Sequence, residues 1–131
     1  MSTFRTTARL AVLAVLAAAV AAPLPTAQAS MTPAGSKVTA VTVFAPNAAG
    51  NVWARVDLDV ARSGQPGCAS ATNRSFVFKV NSDAGKAWVS ELITARAAGL
   101  SVWINGTGGC GPSAEGSVNA YEEITAVAFG Q

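Results

Sequence analysis

Residues 82–102, SDAGKAWVSELITARAAGLSV, hold the change of period on which the fold turns. Ser82 and Asp83 are both good helix N-caps, since a short side-chain oxygen there can accept from the free N–H groups of a first turn. Gly99 suits the left-handed residue that ends a helix. Between them Trp88, Leu92 and Ala95 project to one side with Val89 and Ile93 flanking, while Ser90, Glu91 and Thr94 face away. The spacing predicts a helix over about 83–98 whose broad apolar stripe packs on a sheet. Arg96 falls inside that stripe near the helix end, where its charge suits the C-terminal dipole and its stem can snorkel. After Gly99 the period becomes two, and Leu100, Val102 and Ile104 form the inward side of a strand.

Upstream the chain reads as strands. Lys37–Phe44 is rich in β-branched residues, and Pro46, Asn47 and Gly50 mark a turn after it. Val52–Val60 alternates, with Val52, Ala54, Val56, Leu58 and Val60 on one face and Trp53, Arg55, Asp57 and Asp59 on the other. A Gly, Pro and Ser loop over Arg62–Asn73 carries Cys68, and a third strand follows at about Ser75–Asn81 with Phe76, Phe78 and Val80 inward. Downstream, Asn105–Asn119 reads as a glycine-rich loop holding Cys110, and Ala120–Phe129 as the last strand.

The class is therefore mainly β (α+β), in the order β-β-β-α-β-β. Five strands with one helix between the third and fourth is the order of the OB-fold, a small, partly open five-stranded barrel. An α+β sandwich, with the helix laid across an open sheet, is the competing architecture.

The stretch from Trp88 to Val102, then Cys110, then Tyr121-Glu122-Glu123-Ile124, resembles the B subunits of subtilase-cytotoxin-like AB5 toxins and their small secreted relatives. The resemblance spans roughly residues 68–128 as a pattern. It implies an OB-fold, a ring-forming homo-oligomer and a glycan ligand, and it places no sugar-contacting residue on this chain.

At the amino terminus, Arg5 and Arg9 precede the uncharged run Leu10–Ala22, followed by Pro23 and Pro25, which is the layout of a secretory signal peptide. The run is 13 residues long. A membrane-spanning helix needs roughly 20. Ala27-Gln28-Ala29 supplies the small-residue pattern for cleavage before Ser30. Residues 1–29 are thus expected to be a signal peptide and residues 30–131 one secreted or periplasmic domain, with 30–36 as a flexible leader and no membrane span after cleavage. A chain of that length supports one modest core.

Arg5 and Arg9 are two of the nine basic residues, so the expected mature domain has seven basic against seven acidic side chains. With no net charge and no Lys/Arg cluster, the footprint of a nucleic-acid binder is missing. The two cysteines, Cys68 and Cys110, are expected to form a disulfide in an oxidising compartment.

The chain has no histidine. That excludes Ser-His-Asp and Cys-His catalysis and the commonest zinc sites, so the reading is of a domain that is not an enzyme and takes no cofactor or metal. Gly106-Thr107-Gly108-Gly109-Cys110-Gly111 matches G-x-G-x-x-G, but Pro112 and the polar residues beyond it open no helix, so dinucleotide binding is not expected. Asp57 with Asp59 on one strand face, or Glu122 with Glu123 on opposite faces, are the acids a carboxylate hydrolase would use; solvated strand faces explain them as well. Asn73-Arg74-Ser75 and Asn105-Gly106-Thr107 match the glycosylation sequon and are assigned no function.

Trp53, Arg55 and Trp103 fall on the outward register of their strands, and Tyr121 belongs with them. They form the candidate binding or interface surface, unless the helix or a loop covers the rings. The expected function is a non-catalytic recognition module, as a ring-forming glycan-binding subunit or as a secreted protein-interaction or inhibitor-like domain.

Overall fold

A computed structural model describes residues 29–111 and 118–130; all of the expected signal peptide except Ala29 lies outside the described residues. The chain forms β1 (Val38–Val43), β2 (Trp53–Leu58), a 3-10 segment (Gly67–Thr72), β3 (Ser75–Lys79), α1 (Asp83–Ala98), β4 (Val102–Cys110) and β5 (Glu122–Phe129). The order β-β-β-α-β-β is the one expected. The strands make one five-stranded sheet in the order β1-β2-β3-β5-β4. Every pairing is antiparallel except β3 with β5, which is parallel.

The helix keeps its expected bounds. Ser82 Oγ accepts from Gly85 N at 3.0 Å, and Gly99, at φ 66°, turns its N–H back to the Ala95 and Arg96 carbonyls. Gly85 is buried where the helix start meets the end of β3, and a Cβ there would strike the Lys79 carbonyl. Leu92 and Ala95 are fully buried, and Trp88 meets Phe78 edge-on with ring centroids 5.8 Å apart. They join Val38, Ala54, Val56, Leu58, Phe76, Val102, Ile104 and Ile124 in the main core. Burial of each large aliphatic or aromatic side chain stabilises the fold by about 1.5–3 kcal/mol. Arg96 is exposed, and Leu100, expected inward, is 46% exposed because β4 begins only at Val102.

Three expectations about the sheet and its borders are corrected. It does not close into a barrel: β1 and β4 are its edges, joined through the isolated Lys37–Ser101 bridge and the bond from Val102 N to Ser36 O at 2.8 Å. Residues 30–36, expected as a flexible leader, are instead a strap along β4. Thr32 N donates to Ile104 O at 3.0 Å, Ile104 N to Thr32 Oγ1 at 2.9 Å and Gly106 N to Ser30 O at 2.8 Å. Ser30, Thr32 and Ser36 are buried. The strap thus takes up polar groups that a free sheet edge would leave unpaired, and an edge so covered has less need of β1.

Residues 105–110, the first part of the expected glycine-rich loop, instead continue β4 with irregular register after Asn105 and Gly106, and residues 112–117 of that loop lie outside the described residues. Cys68 and Cys110 form the expected disulfide, with Cα atoms 6.4 Å apart, tying the 3-10 segment to the end of β4. Such a link is compatible with an oxidising compartment. Among the described residues no helix is long and apolar enough to cross a membrane.

Candidate functional site

Alternation along β2 sends Ala54, Val56 and Leu58 into the core and Trp53, Arg55 and Asp57 to the other face. The four candidate residues are not equivalent there. Trp53 is only 7% exposed; it packs with Val77 and Val118 under Phe44 and Tyr121. Segments outside the sheet cover its ring, so Trp53 is no stacking platform, and its Nε1 is buried without a hydrogen-bond partner among the described residues.

Arg55 and Tyr121 are brought together. Arg55 Nη1 donates to the Tyr121 hydroxyl at 3.3 Å, and the guanidinium carbon lies 5.7 Å from the ring centroid. Asp57 Oδ2 accepts from Arg55 Nε at 3.1 Å and lies 3.1 Å from Nη2, while Asp57 Oδ1 accepts from Ser75 Oγ at 2.6 Å. The bond to Tyr121 holds the Arg55 proton more tightly than usual; partial burial opposes this and the Asp57 charge adds to it. The guanidinium is therefore fixed on two sides while still partly open to water.

In the same cross-strand row, Arg55 pairs with Val77 and Val77 with Glu123. Two strand spacings, about 10 Å, separate the arginine from that carboxylate. Burial pushes the Glu123 carboxyl above the ordinary range. Trp103 is half-buried opposite Ala128 on β4. It sits three strand spacings from β2, roughly 14 Å, so the fold does not gather it with Arg55 and Tyr121.

The other face holds a buried polar knot. Glu122 and Arg62 have fully buried side chains, with Arg62 Nε 3.4 Å from Glu122 Oε2. Glu122 Oε1 accepts from Ser30 N at 3.1 Å and Gly108 N at 2.9 Å, and Oε2 accepts from the Ser30 hydroxyl. Arg62 Nε also donates to Ser30 Oγ at 2.8 Å, and Nη1 donates to Ser75 O at 2.7 Å and Thr72 O at 3.3 Å. The guanidinium stacks on Phe76, its carbon 3.8 Å from the ring centre. Burial pulls the Arg62 pKa down, opposed by the Glu122 charge. Gly106 belongs to the knot by absence, since a Cβ on it would run into the Glu122 carboxylate.

Sequence reasoning missed Arg62 and Ser30, which read as a loop cation and a leader residue. A signal existed for Glu122, which alternation within β5 puts on the same face as Ile124. For Arg62 no local signal exists. Among the described residues, no group of three or more acids and cysteines is placed to hold a metal ion.

Neither family models nor curated proteins nor solved structures gave a match to this chain.

Proposed function

We propose that this chain acts outside the cytoplasm as a non-catalytic recognition domain, with the outer sheet face around Arg55 and Tyr121 as its contact surface. One observation carries the reading: Arg55 is held rigid by Tyr121 and Asp57 on a half-exposed face. A preordered guanidinium loses little freedom when it engages a ligand, which favours binding. The hydrolase alternative has less support, because Asp57 is already engaged by Arg55 and Ser75, and Asp59 Oδ1 accepts from Lys37 N at 2.8 Å.

The resemblance to AB5-type B subunits supports a glycan as ligand and a ring as assembly. The cover over Trp53 favours a second reading, a protein partner, because it withdraws that ring from beside Arg55 and Tyr121 and leaves there residue types that dominate protein interfaces. A glycan array and light scattering on the exported protein, beside affinity capture from the medium it meets, separate the two. Under either reading Arg55→Ala weakens binding by about tenfold or more at unchanged melting temperature. Binding indifferent to both Arg55→Ala and Tyr121→Phe defeats the assignment of this face.

A further inference from the structure

The expected cut after Ala29 falls between an exposed residue and a buried one. Ala29 is exposed, whereas Ser30, the next residue, is 1% exposed and has its backbone nitrogen 3.1 Å from Glu122 Oε1. Two independent readings, the small-residue pattern in the sequence and the step from exposed Ala29 to buried Ser30, meet at the same peptide bond. Hydrolysis of that bond consumes one water and leaves a carboxylate on Ala29 and an α-ammonium on Ser30. We propose that this cut completes the fold, because the new ammonium of Ser30 forms an ion pair with the buried carboxylate of Glu122.

The surroundings suit a cation at that nitrogen. In the uncut chain it is a neutral amide donating one hydrogen bond; after the cut it is a charged donor at the same carboxylate, and charge-assisted hydrogen bonds are roughly twice as strong as neutral ones. Ala29 lines a cleft of about 400 Å³ with Met31, Thr32, Pro33, Ser63 and Gly64, so its removal leaves the other side of the new ammonium next to that cleft. Among the described residues two charged groups face the ammonium: Glu122 from β5 and Arg62 from the segment after β2. Arg62 reaches Ser30 through the hydroxyl, and its Nη1 turns to the Thr72 and Ser75 carbonyls, so the nearer charge is the carboxylate.

The inference rests on cleavage before Ser30 and not on what the domain binds. The full-length gene is expressed in an exporting host, and the intact mass of the product is measured. A mass beginning at Ser30 is expected; any other start overturns the proposal. The mature protein is then compared with a form carrying Ser-Gly inserted between Ala29 and Ser30, and with mature protein acetylated on its α-amine. Both keep the Ser30 N–H and remove its charge, and the exposure of Ala29 shows that chain is accommodated at that position.

At pH 6.5 both altered forms are expected to melt about 5 °C below the mature protein. An α-amine ordinarily loses its proton near pH 8, so the gap should close as pH rises from about 8 to 10. Equal melting at pH 6.5, or a gap that persists unchanged to pH 10, overturns the proposal. Failure to find a binding partner leaves this comparison untouched, so the two readings fail separately.

Discussion

Arg62→Met, made in the form carrying Ser-Gly before Ser30 so that the Ser30 nitrogen is uncharged, is the sharpest perturbation of this molecule. The substitution keeps an unbranched apolar stem but removes the guanidinium, which stacks on Phe76, lies 3.4 Å from Glu122 and donates to Ser30, Thr72 and Ser75. Both side chains of the pair are fully buried, so the remaining carboxylate has no water to replace its partner. Removing one member of a buried pair costs about 3–5 kcal/mol, because an uncompensated charge is left behind. Small domains have a total of about 5–15 kcal/mol, so the variant should sit near the edge of stability.

Urea titration followed by tryptophan fluorescence measures this directly, with the loss appearing in the midpoint at unchanged slope. The melting temperature should fall by more than about 12 °C. Arg62→Met combined with Glu122→Gln should recover part of the loss, since an amide can still accept from Ser30 and Gly108 without carrying an unpaired charge; the coupling between the two sites should exceed about 1 kcal/mol. A single-variant loss below about 1 kcal/mol, the scale of an exposed pair, would refute the reasoning.

Three further outcomes follow from the geometry. Reducing the Cys68–Cys110 bridge, which closes a sequence separation of 42, should cost on the order of 4 kcal/mol, read as a lower urea midpoint with reductant present. Gly106→Ala places a Cβ against the Glu122 carboxylate and should destabilise by about 1–3 kcal/mol, read by thermal melting. Glu123 has its carboxyl pushed up by burial, so the native state holds the proton at pH values where the unfolded chain has released it. Its contribution to stability therefore falls as pH rises from the ordinary carboxylate range through the raised value, and melting curves from pH 4 to 7 should show Glu123→Gln removing that decline.

The helix was fully legible because each of its determinants is local: a serine that caps, a glycine with freedom at positive φ, and an apolar stripe of the right period. The strand order along the chain was legible for the same reason. What lay hidden were the pairings that depend on residues distant in sequence. Ser30 looks like a leader residue until Glu122, 92 positions away, is seen to accept from it. The stretch after Ile104 looks like a loop because glycine is poor in strands, yet here Gly106 leaves room for a buried carboxylate and Gly108 N donates to it. Trp53 was placed correctly by register as outward, but register cannot show that Phe44, Val118 and Tyr121 fold over that face.

The buried knot and the outer face are coupled through the geometry of one strand. Successive residues of a strand point to opposite faces, so a carboxylate fixed beneath the sheet at Glu122 also fixes where its neighbours Tyr121 and Glu123 stand above it. The four hydrogen bonds and ion contacts on Glu122 come from the strap, from β4 and from the segment after β2. Together they locate the start of β5 against β3, where Phe76 faces Glu122 and Val77 faces Glu123. An apolar plug would fill the same volume without specifying that register. Loosening the knot should therefore disturb the contact between Arg55 and Tyr121, although neither touches Arg62. The chain has a single tyrosine, whose ring resonances can be followed alone by NMR. In Glu122→Gln those resonances should shift and broaden at temperatures well below unfolding, while those of Trp88, packed on Phe78 under the helix, stay in place. Tyr121 signals unchanged in a variant that has lost the buried charge would show that the outer face keeps its arrangement without help from below.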